Sequence, residues 1–224
     1  MFRSVRPFTV AAGIDDPVIC YQGAAVVDPG SGRFLLHDPI PLGVAREAIA
    51  AIEAEGLPLN VYVDDQLYVA RLTPESERYA GFQNLPINPV GNLLDWLAAP
   101  PTKLVTIGDP ELLDELEIRL KQEFGDRLFI AKSLPYFLEF ARKGVTKGSG
   151  LAFVAEHLGV SLERTVAFGD GENDVELLET AGYAVAVSDS HRRVLDLADL
   201  VCPPANEEGV AQVIEAMLDN RGLR

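Results

Sequence analysis

Thr165-Val-Ala-Phe-Gly169-Asp170-Gly171-Glu172-Asn173-Asp174, running on into Val175-Glu-Leu-Leu-Glu-Thr-Ala181-Gly182, is the stretch from which the rest of this chain can be read. Thr165 to Phe168 is a short β-branched and aromatic run, the pattern of a buried strand. Val175 to Ala181 has helical apolar spacing, and the glycines and carboxylates between the two make a tight turn. The acidic cluster therefore sits where a strand gives way to a helix, which in an open α/β sheet is the edge where ligands bind. Gly169 and Gly171 let the backbone bend and keep side chains out of the space between the carboxylates. Asp170 and Asp174 can face one point, and a hard divalent ion, Mg²⁺ where phosphate is also present, would relieve their repulsion. The spacing alone leaves open whether these residues bind a metal or simply cap the following helix. An EF-hand loop is excluded, because its glycine would fall at Val175 and no Glu closes the loop.

Gly169-Asp-Gly-Glu-Asn-Asp174 resembles the fourth motif of the haloacid dehalogenase superfamily of phosphatases, and Lys147-Gly148 upstream resembles its third. Ala184-Val-Ala-Val187, Ala198-Asp-Leu-Val-Cys202 and Glu208-Gly-Val210 are similar to the tail of the Cof-type branch. The resemblance implies an α/β fold: a doubly wound parallel, Rossmann-like core over residues 1–58 plus 139–224, with a small α/β cap inserted at 59–138. It implies a Mg²⁺-dependent phosphatase acting on small phosphorylated metabolites, such as sugar phosphates, through an aspartyl-phosphate intermediate. Lys147 would then be catalytic and also hold substrate, Asp170 and Asp174 would bind the metal, and Asn173, Gln22 and Gly23 would contact substrate. The branch usually has Asn-Gly where Gln22-Gly23 stands, so a structural turn is an equal reading of Gln22. The alternative function is a non-catalytic phosphate- or metal-binding protein.

The chain departs from the family at the beginning. No Asp-x-Asp-Gly-Thr string, which would carry the nucleophile and the acid/base aspartate, occurs in the 224 residues, and no Thr-Gly-Arg precedes the first helix. The expectation is a core lacking its first strands, about 40 residues shorter than the family's. A misplaced start, a truncation and a true loss are not distinguished by the sequence. A sheet with a central gap would leave two apolar edges with unpaired amides, which favours truncation and leaves room for a homo-oligomer.

Composition sets further limits. A chain of 224 residues with 48% hydrophobic residues can bury a sizeable core plus a small cap. Its net charge of −15 argues against nucleic acid and anionic membranes as partners. Cys20 and Cys202 lie in apolar runs and read as buried thiols. The N-terminus lacks an apolar signal core and no stretch could span a bilayer, so a cytoplasmic location is expected.

In chain order, Met1–Gly13 reads as a short helix, Pro17–Tyr21 as a strand, and Ala24–Val27 with Arg33–Leu36 as a hairpin. Val44–Glu55 reads as a helix. Val61–Val63 and Leu67–Ala70 form a hairpin about Asp64-Asp65-Gln66, where the aspartates are turn residues. Pro74–Phe82 is a short helix or irregular piece and Pro86–Pro89 a loop. Leu104–Ile107, Leu128–Ala131 and Tyr136–Phe140 read as strands. Pro110–Phe124 is a helix with Leu112, Leu113, Leu116 and Leu120 on one face. Thr146–Leu158 is a helix that begins with Lys147, and Thr146 in the place of glycine excludes a P-loop. Strands at Tyr183–Val187 and Leu200–Cys202 alternate with helices at His191–Leu197 and Glu207–Leu218, which predicts a parallel sheet. His191 reads as a surface or capping residue.

Overall fold

The structure, a computed structural model, describes residues 1–219. The chain falls into two compact units, Met1–Val145 and a second from Thr146 onward.

The first unit opens with α1 (Phe2–Ala12), which ends where Gly13 takes φ 64°. Its first two amides donate to Asp65, Phe2 N to Oδ1 and Arg3 N to Oδ2, each at 2.9 Å. Asp65 thus serves as a remote cap, an anion at a helix N-terminus. Three antiparallel strands follow, β1 (Val18–Cys20), β2 (Ala25–Val27) and β3 (Phe34–His37). Next come α2 (Leu42–Glu53), β4 (Leu59–Val63), β5 (Gln66–Val69), α3 (Pro74–Gln83), β6 (Ile87–Pro89) and α4 (Leu93–Trp96). The unit closes with β7 (Lys103–Ile107), α5 (Pro110–Phe124), β8 (Leu128–Leu134) and β9 (Phe137–Arg142). Strands β4 to β9 form one sheet in the order β6-β5-β4-β7-β9-β8, antiparallel except for β5 with β6.

Alternation along the strands explains how this sheet is covered. Leu59, Val61 and Val63 pack with Ile49 and Ile52 of α2 and with Leu113, Leu116 and Leu120 of α5. Tyr62, Leu67, Val105 and Phe137 pack with Tyr79 of α3 and with Phe2, Tyr21 and Val27. The turn Asp64-Asp65 joins β4 to β5 with φ of 50° and 57°, the left-handed pair that a two-residue hairpin needs.

Three sequence expectations are corrected here. Pro86–Pro89 is not a loop: Ile87–Pro89 is a strand, paired with β5 at Leu67↔Ile87 and Val69↔Pro89. It lies at the sheet edge, where a proline without an N–H is tolerated and hides the strand pattern. Leu112 is 39% exposed, and the buried stripe of α5 is Leu113, Leu116, Leu120 and Phe124. One residue on a helix turns about 100°, enough to move Leu112 off that face. The expected boundary between 138 and 139 cuts β9, where Leu138 pairs with Thr106 and Glu139 with Val105.

The second unit contains α6 (Lys147–Leu158), β10 (Val166–Gly169), α7 (Val175–Thr180), β11 (Tyr183–Val187), α8 (Arg192–Leu197), β12 (Leu200–Cys202) and α9 (Gly209–Leu218). Its three strands are parallel in the order β10-β11-β12. Ala167, Ala184 and Ala186 pack with Val175 and Leu178 of α7 and with Val194 of α8. Val166, Phe168, Val185 and Val187 pack with Val210, Val213 and Met217 of α9. Helices therefore cover both faces, as a doubly wound sheet requires. Among the described residues β10 pairs only with β11, and no helix is long and apolar enough to cross a membrane. Both cysteines are free and buried.

Candidate active site

The site of the second unit grows out of α6. Thr146 Oγ1 accepts from Ser149 N at 3.1 Å and Ser149 Oγ accepts from Thr146 N at 3.0 Å, a reciprocal cap that fixes the helix start. Lys147 is the first residue of the helix. A cation there opposes the helix dipole, so its position calls for a compensating anion.

Gly148 supplies the means to reach one. A Cβ at this position would lie 2.3 Å from the Glu176 carbonyl oxygen and 2.4 Å from Thr180 Oγ1. The missing side chain lets α6 approach α7 closely, and Lys147 Nζ reaches Asp174 Oδ1. Asp174 is 4% exposed. Its other oxygen, Oδ2, accepts from the backbone amides of Asp170 at 3.0 Å and Gly171 at 3.1 Å. The carboxylate thus folds the turn back over itself and pins the lysine.

The two glycines of the turn leave room for this arrangement. A Cβ on Gly169 would stand 2.7 Å from Asp174 Cβ, and one on Gly171 would stand 2.6 Å from Asn173 Oδ1. Asp170 follows directly on β10, at the carboxyl end of a parallel strand, and is exposed. The loop after β11 comes to the same edge: His191 N donates to Asp170 O at 2.8 Å and Ser190 Oγ to Gly169 O at 3.3 Å. Arg193 Nη1 donates to Glu172 Oε1 at 2.9 Å across the mouth of the turn. The His191 ring accepts from Arg193 N and caps α8, the role expected of it.

Electrostatics separates the two aspartates. Burial pushes Asp174 up, but the Lys147 hydrogen bond and charge, with the two amides, outweigh it and hold this carboxyl below its ordinary range. Asp170 is pushed up, first by the partial loss of solvation that the turn imposes on this exposed residue and then by the negative charge of Asp174, with Lys147 only partly offsetting this. The ionised form of Asp170 is the one a cation would stabilise. Oxygen donors suit Mg²⁺, which keeps several waters and takes few protein ligands. The donor set fits in part: among the described residues no three His, Cys, Asp or Glu side chains converge, and both oxygens of Asp174 are already engaged.

Lys147, Asp170, Asn173 and Asp174 all lie in the second unit. Gln22 and Gly23 belong to the first unit. Tyr21, Gln22 and Gly23 carry φ of 55°, 59° and 100°, a run of left-handed residues. The first two are held by hydrogen bonds, Tyr21 OH to Asp65 Oδ1 at 2.7 Å and Gln22 Nε2 to Glu139 Oε2 at 3.2 Å. Glu139 also accepts from Ser133 Oγ at 2.8 Å and pairs with the buried Lys103 at 3.1 Å. Sequence reasoning missed this ion pair, because Lys103 and Glu139 read individually as ordinary strand residues. It also missed Arg193 and Ser190, whose spacing from the acidic turn carries no local signal.

Residues 1–214 match the family model of haloacid dehalogenase-like hydrolases. A putative phosphatase of Haemophilus influenzae is 36% identical over 51% of this chain and 44% of its own length, so the match spans less than half of that relative. The pyridoxal phosphate phosphatase of Escherichia coli is 28% identical over 96% of this chain and 82% of its own. A crystal structure from Thermotoga maritima superposes with a TM-score of 0.77 at 36% identity, covering 89% of this chain and 74% of that one.

Proposed function

Because the chain belongs to the family of haloacid dehalogenase-like hydrolases, we propose that it serves a Mg²⁺-dependent phosphatase of small phosphorylated metabolites. The observation that carries this is Lys147, held by Asp174 at the carboxyl edge of β10 beside the exposed Asp170. Lys147 neutralises a non-bridging phosphoryl oxygen from a helix N-terminus, where backbone amides also favour anions. Asp170 is the residue that would hold Mg²⁺, with Asp174 fixing the turn and the lysine. A bound Mg²⁺ would supply charge stabilisation to the phosphoryl group. Asn173 would contact the phosphoryl group. The α/β element built on the β4–β9 sheet, which runs to Arg142 rather than stopping at 138, would act as the cap that selects the leaving group.

The attacking carboxylate that forms the aspartyl-phosphate has no Asp-x-Asp-Gly-Thr to come from within these 224 residues. The naming of the Escherichia coli relative for pyridoxal phosphate, and the sugar phosphates expected from the sequence, give the first substrates to try. The acidic chain and the lack of a membrane-crossing helix among the described residues support a cytoplasmic site of action.

The test is hydrolysis of pyridoxal phosphate and glucose 6-phosphate by this chain alone and by a polypeptide that also bears an Asp-x-Asp-Gly-Thr segment. Mg²⁺-stimulated turnover is expected only with the segment, the lone chain being slower by several orders of magnitude. Lys147→Met and Asp170→Asn should each abolish it. Undiminished turnover by Asp170→Asn would remove the metal role. Phosphate binding without turnover in either form would favour a non-catalytic binding protein.

A further inference from the structure

The first unit gathers two unpaired charges of opposite sign at one end of its sheet. Helix α2 ends at Glu53, and the chain turns through Gly56, at φ 70°, into β4. Strand β5 runs antiparallel to β4 with Asn60 opposite Val69, so it returns the chain to that same end, where Arg71 follows. Strand β6 is parallel to β5, and Gly91 N donates to Ala70 O at 3.0 Å, which brings the segment after β6 alongside.

A cavity of about 540 Å³ opens between these segments, and both Glu53 and Arg71 line it. Leu57, Pro58 and Ala70, all half-buried, give it an apolar wall. Gly56 and Gly91 line it too, and a Cβ on either would meet nothing within 4 Å, so the backbone there faces open space.

Among the described residues, neither the Glu53 nor the Arg71 side chain makes a hydrogen bond or an ion pair, with the other or with a third group. Glu75, also on the lining, is already paired with Arg78 at 3.7 Å. Glu53 is badly placed for an anion. It closes α2, where the helix dipole is negative, and the last turn of α2 carries no basic residue. Burial pushes its carboxyl up, and no neighbouring cation offsets that. The position calls for a cation that the chain does not supply. Arg71 has the opposite need, since its planar fork of donors matches a carboxylate bidentately. A compact space of this volume is about 10 Å across, room for an ammonium and a carboxylate on one small molecule to reach both groups at hydrogen-bond length.

We propose that this cavity binds a small zwitterionic amino acid with an apolar side chain. Its carboxylate takes the guanidinium fork of Arg71, and its ammonium pairs with Glu53 at the end of α2. Its side chain lies on Leu57, Pro58 and Ala70. The proposal stands on the first unit alone, does not depend on the phosphatase chemistry of the second, and is read by binding rather than by hydrolysis.

The experiment is titration calorimetry on the 224-residue chain with three probes. These are L-valine, L-valinamide, which lacks the carboxylate, and 3-methylbutanoate, which lacks the ammonium. Valine should bind about tenfold more tightly than either control, because it alone engages both charges. Arg71→Gln should lower valine to the affinity of valinamide and leave valinamide unchanged. Glu53→Gln should lower valine to the affinity of 3-methylbutanoate and leave that anion bound no more weakly. A side chain that merely supports the fold would weaken a probe and its matched control alike. Neither side chain has a partner to lose, and the three-probe comparison on the parent chain stands without the variants. Valine bound no more tightly than both controls, or no saturable valine binding up to about 10 mM, overturns the proposal. So does a variant that weakens valine and its matched control equally.

Discussion

Lys147 Nζ donates to Asp174 Oδ1, while the other oxygen of that carboxylate takes the amides of Asp170 and Gly171. One buried side chain therefore fixes both the position of the cation and the shape of the acidic turn. Of the two aspartates, Asp170 is the one left facing solvent.

The approach of α6 to α7 should be intolerant of any side chain at Gly148. Gly148→Ala places a Cβ 2.3 Å from a backbone carbonyl oxygen that cannot swing aside. Overpacking of this kind costs about 1–3 kcal/mol, and the helices must part to relieve it, drawing Lys147 from Asp174. Urea denaturation of the variant checks the loss. An unchanged midpoint would mean that the helices are not packed this closely.

Asp170→Asn should raise stability in the absence of divalent ions. The substitution removes a carboxylate whose ionised form is disfavoured by burial and by Asp174. It should also remove stabilisation by Mg²⁺, which acts through its binding to the folded state. Thermal melts with and without about 10 mM MgCl₂ measure both effects. A variant still stabilised by Mg²⁺ as strongly as the parent would assign the ion elsewhere.

Acid should unfold the protein from below about pH 4, close to the unfolded carboxylate values. Asp174 and Glu139 are held below their ordinary pKa. The stability they contribute is present above the unfolded value and is lost as pH falls through the depressed folded one. Asp170, shifted upward, works in the opposite sense and regains a little stability on protonation. Asp174→Asn should flatten the acid limb of a stability-versus-pH curve. An identical acid limb would show that the Lys147 pair contributes nothing there.

The ion pair Lys103–Glu139 lies within the first unit, with side chains 12% and 9% exposed. Burial works against both charges, yet each holds the other ionised, with Lys103 shifted up and Glu139 down. Glu139→Leu alone should cost about 3–5 kcal/mol, because it strands a buried ammonium and removes the hydrogen bond from Gln22 Nε2. Lys103→Met with Glu139→Leu should recover most of that. A double-mutant cycle by denaturation decides it, and an additive result would mean that the two charges do not interact.

Local physics made part of this protein legible in one dimension. Residues 165–182 announce a strand, a turn and a helix because two short periodicities meet at glycines. The β4–β5 hairpin was equally legible, since Asp64-Asp65 accept the left-handed backbone that such a turn needs. Lys147 and Asp174 stood out in the sequence through the resemblance of their motifs to those of a known family, which are local strings. What Asp174 does with its two oxygens was not legible, because that depends on the space Gly148 leaves between two helices. The edge strand at Ile87–Pro89, the pairing of Lys103 with Glu139 and the cap that Asp65 gives to α1 were also hidden. Each joins residues far apart in the chain through burial. Sequence periodicity reports which face a residue turns inward, but only the packed structure decides what it meets there.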